Sequence, residues 1–471
     1  MSRDGWDATT SCKRSLYARG PAANRAALLS LIQPPQTGHI IASRLLHNQH
    51  ADPAEQSPTR ELIVTHLSPD VHDLIVIGAG PIGLEAALYA ADSDLDFVVL
   101  EKDEPGATLQ AWGRLLMFSP MGMNTTPLGR QVTGWSDPDA LLTGREMKRQ
   151  YFDKIASLDS IAPRLISNFT VQRIGRRNVL KGSLIGDPRR AEQPFLVMGT
   201  NQTGRESIYR ARSVIDASGV YANPNRLGPG GLPALGEHAL ADRISYHLDI
   251  LPGDPPVSQA KRYVVVGSGH SACTVLAHID RLTESDEAVE ALWVTANADT
   301  PPVADLDDDP LPERKRMVRA ANALAEGSNP RIHHVGGRWV EAIEGDPDRT
   351  MTVTLTNDTG GREQYPADHI YAMVGYRPDR TMYEELQVHE CYASSGPMKL
   401  SAALLSSGAS SDCMAEMDVA DDLFNNPEPD FYILGAKSYG RTTNFLIRKG
   451  HDQIRTVFKQ ITGDPSLDRY V

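Results

Sequence analysis

The sequence predicts an α/β fold made of two Rossmann-like, three-layer nucleotide-binding domains. The main observation is a pattern that occurs twice: an apolar strand, a glycine-rich turn, a helix and a second apolar strand. The first copy enters its turn at Gly78 and the second at Gly267. This arrangement is typical of a dinucleotide site, because the helix N-terminus presents unpaired N–H groups to phosphates. The chain has 471 residues, too many for one core, which also favours several domains.

The first copy carries each feature expected of a dinucleotide-binding turn. After the apolar strand at residues 73–77, Gly78 permits a tight turn. Gly80 lets a pyrophosphate approach the backbone, and Gly83 lets helix and strand pack closely. The second strand ends at Glu101, where a carboxylate would bond ribose hydroxyl groups. The predicted cofactor-binding set is completed by three neighbours, Pro81, Lys102 and Trp112.

The second copy follows an apolar strand at residues 263–266. Its turn and the start of its helix supply the second predicted nucleotide site, which comprises Gly267, Ser268, Gly269, His270, Ser271 and Ala272. His270 is predicted to be a phosphate-loop residue, with an acid–base role as the alternative. The next strand, residues 291–295, ends with neither an acid for a ribose 2′-hydroxyl nor an Arg for a 2′-phosphate. Positive charge could instead come from Arg314, Lys315 and Arg316.

Composition excludes several classes of partner. The content of 41% hydrophobic and 23% charged residues is that of an ordinary globular protein. The net charge of −13 argues against nucleic acid and anionic membrane surfaces, which need a basic face. No run approaches the roughly 18 apolar residues that span a bilayer. We therefore expect a small-molecule substrate.

The four cysteines are Cys12, Cys273, Cys391 and Cys413, and they form neither a CxxC pair nor a zinc-ligand spacing. This usage is typical of a reducing compartment, so a cytoplasmic location and no metal are expected. Cys273 lies at helical spacing in an apolar face, which predicts a packing role. A redox pair between Cys391 and Cys413 is an alternative.

Residues 1–70 differ in composition from the rest. From Ala8 to Ala51 there is no Asp or Glu, whereas Arg, Ser and Ala are common. We expect a disordered or weakly helical arm, with the fold beginning near residue 71. An organellar transit peptide is the alternative, although Asp4 and Asp7 are unusual in one.

Further elements are predicted from local patterns. Residues 105–129, rich in Met, Pro and Gly, are expected to form a loop, and residues 141–160 a helix. Residues 169–212 alternate apolar and polar side chains, which predicts a small antiparallel sheet, and residues 338–375 alternate again. A last helix is expected at about residues 444–461.

Two further strands end on small residues, which allow backbone to pack against a cofactor. One runs into Ser218 and Gly219, and the other into Gly435. These three residues join the predicted cofactor-binding set.

Together the motifs resemble those of the two-dinucleotide-binding-domain flavoproteins. The resemblance covers roughly residues 70–465 and rests on five segments: GAGPIG with Glu101, DASG at 216–219, GSGHSA at 267–272, VGYRPD at 374–379 and FYILGAKS at 431–438. It implies FAD at the first glycine turn and NADH or NADPH at the second. It also implies an NAD(P)-binding domain at residues 251–380, inserted in an FAD-binding domain formed by residues 71–250 and 381–471, and a homodimer.

Two branches of this superfamily compete. Its disulfide reductases carry a CxxC or CxxxxC pair beside the flavin, and this chain has neither. Its flavin monooxygenases lack that pair and place an Asn, in a short Thr/Ser-rich loop, beside the flavin where oxygen reacts. Met123-Asn124-Thr125-Thr126 resembles that loop, so Asn124 is a candidate catalytic residue. A turn Asn is the alternative interpretation.

The chain also departs from both branches. The usual monooxygenase motif between the two glycine turns is not matched by Gly236-Glu237-His238 and Tyr246. Many reductases place an Asp directly after the glycine of the last flavin strand, whereas Gly435 is followed by Ala436 and Lys437. Lys437 is a second candidate catalytic residue, expected to stabilise a reduced, anionic flavin. An exposed lysine and a phosphate contact are the alternatives.

The expected function is that of an FAD-dependent oxidoreductase, which takes hydride from NAD(P)H and passes electrons to oxygen to oxidise a small molecule. One alternative is an NAD(P)H-dependent flavin reductase or dehydrogenase that acts without a dithiol. Another is a non-catalytic, flavin-binding redox sensor. The sequence does not identify the substrate.

Overall fold

The computed structural model describes residues 66–307, 309–346, 350–406, 422–443 and 445–471. The interpretations of residues 1–70 as an arm or transit peptide fall outside this part of the chain, except that the first strand already begins at His66. Cys12 and Cys413 also lie outside the described residues.

The strands and helices alternate as expected of an α/β protein. The strands are β1 (His66–Ile77), β2 (Phe97–Leu100), β3 (Leu165–Ile166), β4 (Phe169–Arg176), β5 (Phe195–Asn201), β6 (Glu206–Asp216), β7 (Ile244–Ser245), β8 (Arg262–Val266), β9 (Glu290–Thr295), β10 (Ile332–Gly336), β11 (Trp339–Glu344), β12 (Met351–Thr356), β13 (Arg362–Ala367), β14 (His369–Ala372) and β15 (Phe431–Ile433). The helices are α1 (Pro81–Asp92), α2 (Ala107–Trp112), α3 (Met121–Asn124), α4 (Pro127–Thr133), α5 (Gly144–Met147), α6 (Asp153–Ala156), α7 (His270–Ser285), α8 (Pro312–Ala325), α9 (Met398–Ser406) and α10 (Ile447–Thr462). A π turn (Lys148–Phe152) joins α5 to α6, and short 3₁₀ turns occur at Ala162–Arg164, Pro188–Arg190, Pro229–Gly231, Ala241–Arg243, Val257–Gln259, Thr381–Tyr383 and Gly435–Tyr439.

The first sheet contains β1 and the strands that pair around it. Its order is β3-β2-β1-β6, with β15 parallel to the C-terminal end of β6. The N-terminal part of β6 instead pairs antiparallel with β5, and β5 with β4. The alternating pattern at residues 169–212 thus forms the predicted antiparallel sheet. Strand β15, near the end of the described chain, completes the sheet that β1 begins, so the domain is built from both ends of the fold.

The second sheet is parallel throughout, in the order β10-β9-β8-β14-β7. A separate three-stranded antiparallel sheet, β11-β12-β13, interrupts it in sequence. Strand β7 lies before the expected domain boundary at residue 251, yet pairs with β14. The second sheet therefore includes a strand before residue 251 that is too short to show any periodic pattern, and the expected domain boundaries stay a prediction.

Helices cover the sheets and place the glycine turns at strand ends. Helix α1 packs against α10, where a Cβ on Gly450 would lie 2.2 Å from Ile82. Helices α7 and α8 pack over the second sheet around Trp293, which is fully buried. The first and second sheets therefore have the helix-on-sheet layering that the sequence predicts, and the fold class is confirmed.

The segment predicted as a loop at residues 105–129 contains the helices α2 and α3 and the start of α4. The side chain of Thr126 caps α4 by accepting a hydrogen bond from the Gly129 N–H, and Pro127 occupies its first turn. These local signals outweigh the Pro and Gly content that predicted a loop. Among the described residues, no helix is long and apolar enough to span a membrane.

Candidate cofactor and active site

One cavity of about 1630 Å³ reaches from the first glycine turn to the second. Most of the predicted site residues line it: Gly78, Gly80, Pro81, Glu101, Lys102, Trp112, Asn124, Ser218, Gly219 and Gly435 on the side of the first sheet, and Gly267, Ser268, Gly269, His270 and Ser271 on the side of the second. Three predicted residues, Gly83, Ala272 and Lys437, do not line it. The structure therefore brings both predicted nucleotide sites to a common space.

The first glycine turn combines close packing with one open position. Gly78 has a φ of +95°, and a Cβ there would approach the Ala217 carbonyl oxygen to 2.9 Å. A Cβ on Gly83 would lie 1.8 Å from the Gly78 carbonyl oxygen, so Gly83 serves helix packing and not the cavity. A Cβ on Gly80 would meet no protein atom within 4 Å. Gly80 is the N-cap of α1. The backbone is therefore open to the cavity at the point where the helix begins with unpaired N–H groups.

Glu101 is held at the cavity wall by backbone groups. Its Oε2 accepts a hydrogen bond from the Ala79 N–H at 2.5 Å, and its Oε1 accepts one from the Asp103 N–H at 2.9 Å. The side chain is buried except for the part that lines the cavity. Since each carboxylate oxygen has a second lone pair, the group can still accept hydrogen bonds from a sugar.

The second turn repeats this geometry. Gly267 has a φ of +127°, and a Cβ there would lie 2.2 Å from the Met373 carbonyl oxygen. Gly269, the N-cap of α7, has no atom within 4 Å of its Cβ position. Ala272 lies inside the packed face of α7. The two turns are therefore alike in having one open glycine at a helix N-terminus.

His270 begins α7 and lies 5.5 Å from the Phe118 ring, centroid to centroid, across the cavity. The surrounding protein lowers the pKa of His270 below its ordinary value, and the charge of Arg314 lowers it further. The imidazole is therefore neutral near pH 7 and has one donor and one acceptor nitrogen. Arg314 is itself buried in an ion pair with Asp309, with 2.6 Å between Nη2 and Oδ1.

Asn124 is almost fully buried at the end of α3, with part of its surface on the cavity. Its Nδ2 donates to the carbonyl oxygen of Ser119 at 3.0 Å, and its Oδ1 accepts from the Ser119 hydroxyl at 3.1 Å. The amide is thus fixed by one neighbouring residue.

Lys437 is placed differently from the expectation. Its Nζ lies 2.6 Å from Asp216 Oδ2 and 3.0 Å from Ser218 Oγ, and both charged side chains are buried. The ammonium therefore lies in a buried ion pair and not on the cavity surface, and the role of Lys437 in stabilising a reduced flavin stays a prediction. The physical reason is that the buried Asp216 carboxylate needs a counter-ion.

Sequence reasoning missed an aromatic group on the cavity wall. The His247 ring stacks on Tyr376 with centroids 5.6 Å apart, and Tyr221 lies 4.2 Å from His247. Trp112 contacts Tyr221 edge-on. Tyr221 follows β6, His247 follows β7 and Tyr376 follows β14, in segments where no periodic pattern marks them. Their aromatic character beside the DASG and VGYRPD motifs was the only available signal.

Two cysteines are among the described residues, Cys273 and Cys391, and neither lines the cavity. Burial raises the pKa of Cys273 to about 12, so its thiol is unreactive at neutral pH.

Comparisons with known proteins agree with this arrangement. A sequence model of the pyridine nucleotide-disulphide oxidoreductase family matches residues 75–158, which contain the first glycine turn. A thioredoxin reductase of Listeria innocua is 24% identical over 311 residues, which cover 65% of this chain and 75% of that protein.

Solved structures show the same fold. The bacillithiol disulfide reductase of Bacillus cereus has a TM-score of 0.61 at 19% identity, and the likeness covers 84% of this chain and 99% of that one. The ornithine N-hydroxylase of Kutzneria sp. 744 has a TM-score of 0.57 at 14% identity, with 84% and 100% covered. Both a reductase and a monooxygenase thus share the fold. The chain is therefore similar in fold to both kinds of protein, and its first glycine turn matches the pyridine nucleotide-disulphide oxidoreductase family.

Proposed function

We propose that this protein is an FAD-dependent oxidoreductase that takes hydride from NAD(P)H and passes the electrons to oxygen, so that a small molecule is oxidised. The first support for the proposal is that Gly80 and Gly269, whose Cβ positions are free of protein atoms, face one cavity. Each lies at a helix N-terminus, which suits the pyrophosphate of a dinucleotide. The residues present therefore fit FAD at the first turn and NAD(P)H at the second.

The chain's own residues would bind and orient the two cofactors. The N-terminus of α1 would hold the FAD pyrophosphate, and Glu101 would accept hydrogen bonds from the ribose. The N-terminus of α7, with Ser268 and Ser271 on the cavity, would hold the nicotinamide dinucleotide. When bound, FAD supplies the hydride acceptor and the electron carrier, and the protein supplies position and water exclusion.

The position of Asn124 supports oxygen as the electron acceptor. A buried amide faces the cavity there, whereas no cysteine of the described residues does. The full sequence also lacks the CxxC and CxxxxC pairs with which a dithiol mechanism would operate. A fixed amide next to the flavin can donate or accept a hydrogen bond while oxygen reacts.

A reductase or dehydrogenase without a dithiol is the second candidate. The relative from Listeria innocua, which is 24% identical to this chain over 311 residues, is named a thioredoxin reductase. In that case the electrons would leave for another acceptor, and oxygen would react slowly and unproductively.

Rapid mixing of the reduced holoenzyme with oxygenated buffer separates the two candidates. The monooxygenase proposal predicts an absorbance transient that belongs to neither reduced nor oxidised flavin. Its decay should accelerate with a substrate from a panel of amines, thioethers and ketones. Hydrogen peroxide should be quantified in parallel, with NADH and NADPH compared as reductants. Direct return to oxidised flavin, at a rate that no panel member alters, would favour the reductase.

A further inference from the structure

Glu85 is the one charged side chain among the buried residues of α1. It lies on α1, two residues after Gly83, and its side chain has no exposed surface. The Tyr151 hydroxyl donates to its Oε1 at 2.6 Å, and the Thr126 hydroxyl donates to its Oε2 at 2.8 Å. Since two donors converge on it, the position needs a side chain with two acceptor oxygens.

Thr126 is held by more than this one bond. Its backbone N–H donates to the Tyr151 hydroxyl oxygen at 3.2 Å. Its own hydroxyl oxygen accepts the Gly129 N–H at 2.9 Å, which caps α4. Glu85, Tyr151 and Thr126 therefore form a closed ring of hydrogen bonds, in which the backbone and the side chain of Thr126 are both fixed.

The backbone packs closely against this ring at Gly129. A Cβ on Gly129 would lie 1.7 Å from the Tyr151 hydroxyl oxygen and 2.9 Å from Glu85 Oε1. Tyr151 comes from the π turn, an irregular helix geometry that is frequent at functional sites. Three segments, α1, α4 and the π turn, thus meet at Glu85.

The segment that the ring fixes leads directly to the cavity. Asn124 lies two residues before Thr126 and lines the cavity, whereas none of Glu85, Thr126 and Tyr151 does. Between them, the Thr125 hydroxyl donates to the Met121 carbonyl oxygen at 2.7 Å and closes α3. Gly80, the N-cap of α1, lies five residues before Glu85 and faces the same cavity. One helix therefore connects the glycine turn to the anchor of Asn124.

We infer that Glu85 is a positioning residue, which fixes through Tyr151 and Thr126 the segment that holds the Asn124 amide against the flavin. The inference rests on the proposed function for the role of Asn124. Glu85 itself touches neither the cavity nor the reacting atoms. Its effect reaches the flavin through the placement of residues 121–126 relative to α1.

The test compares three variants with a matched control. Glu85→Ala and Thr126→Val each break the ring, and Glu85→Gln keeps one acceptor oxygen at the site. Tyr89→Phe is the control, because Tyr89 lies on the same helix and its buried hydroxyl accepts a hydrogen bond from the Arg469 N–H, away from residues 121–126. The readouts are hydrogen–deuterium exchange of residues 117–130 and the visible absorbance band of the bound flavin.

Glu85→Ala and Thr126→Val should speed exchange in residues 121–126 about tenfold or more and shift the flavin band. Glu85→Gln should lie between these variants and the wild type, and Tyr89→Phe should match the wild type in both readouts. If exchange and flavin band stay unchanged in Glu85→Ala and Thr126→Val, or if Tyr89→Phe changes them equally, the inference is overturned.

These outcomes differ from a failure of the proposed function. The wild-type reaction with oxygen judges the monooxygenase proposal by itself. Exchange in residues 117–130 judges the ring whether or not oxygen is the acceptor, and it can also be measured on protein that has lost its flavin. Loss of exchange protection together with an unchanged flavin band would mean that the ring holds the segment without positioning it against the cofactor, and would overturn the inference.

Discussion

The ammonium of Lys437 lies 2.6 Å from the carboxylate of Asp216, and both groups are buried. Asp216 ends β6 and Lys437 follows β15, so the pair connects the two neighbouring strands at their C-terminal ends. The Oδ1 of Asp216 also accepts the N–H and hydroxyl of Ser218, which begins the turn at the cavity. The pair therefore stabilises two turns that line the cavity, at Ser218–Gly219 and at Gly435.

Removing one member of this pair should destabilise the protein strongly. Lys437→Met leaves a buried carboxylate without a counter-ion, which costs about 3–5 kcal/mol. We expect a lower melting temperature for the holoenzyme, measured by flavin release. The double variant Asp216→Asn with Lys437→Met should recover part of the loss, because no charge is then left unpaired. Strictly additive effects of the two substitutions would contradict a direct ion pair.

Substitution by alanine should affect folding at Gly83 and FAD binding at Gly80. In Gly83→Ala the Cβ collides with the Gly78 carbonyl oxygen, so we expect loss of folded protein. In Gly80→Ala the Cβ meets only the open cavity, so the flavin-free protein should melt as the wild type does. Its Kd for FAD should rise about tenfold or more, which corresponds to about 1.4 kcal/mol. Unchanged FAD affinity, measured by fluorescence quenching on reconstitution, would argue against a pyrophosphate at Gly80.

Gly269→Ala tests the second turn in the same way. Its Cβ would meet no protein atom within 4 Å, so folding and flavin content should not change. The KM for NAD(P)H should rise about tenfold, because the added methyl group occupies the space next to the helix N-terminus. Gly182→Ala is the control, since that glycine is equally open but does not line the cavity. Equal KM values in both variants would exclude phosphate binding at Gly269.

Asn124→Ala should uncouple substrate oxidation from oxygen consumption. Loss of one hydrogen-bonding group at a reacting centre typically costs about 10²–10³ in rate. We expect product formation to fall by that order while NAD(P)H oxidation falls much less, with hydrogen peroxide accounting for the difference. Asn329→Ala, whose amide bonds Asp280 and Thr283 away from the cavity, is the control. A parallel loss of NAD(P)H oxidation and product would instead indicate a binding role.

Glu85 should make stability depend on pH in a defined direction. Burial raises its pKa from 4.5 to about 7 in the folded protein. The folded state therefore holds the proton more tightly, and this stabilisation is complete below about pH 4.5 and lost as pH rises through about 7. The difference corresponds to about 3 kcal/mol.

Glu85→Gln should remove this component. The fall in melting temperature between about pH 5 and about pH 8 should be smaller in the variant than in the wild type. Burial lowers the pKa of His451 to about 3, and this acts in the opposite direction, but it is common to both proteins and cancels in the comparison. Identical pH profiles would show that Glu85 does not titrate in this range.

The parts of the site that the sequence predicted are those formed by residues close together in the chain. The glycines of each turn lie within a dozen residues of the strand before them and of the helix after them. Their spacing alone therefore predicts their geometry. The placement of Glu101 beside the first turn also follows from pairing two adjacent parallel strands.

The parts that the sequence did not predict depend on distant partners. Lys437 meets Asp216 only because β15 pairs with β6, and nothing near Lys437 in the sequence marks that contact. Glu85 lies directly after the first glycine turn and was not predicted as a site residue. An acid within the apolar run LEAALYAA nevertheless indicates that the helix buries a polar contact. Of its partners, Thr126 comes from a segment whose composition predicted a loop, and Tyr151 comes from a predicted helix that contains the π turn.

The pairing of β15 with β6 has a consequence for biosynthesis. Gly78 lies at the start of the fold, whereas Gly435 and the α10 contact at Gly450 come from its last part. A ribosome must therefore have released the chain beyond Gly450 before the pocket at the first turn can close. Flavin would therefore bind late during synthesis and folding. A shortened translation product would remain apoprotein even with an intact glycine turn.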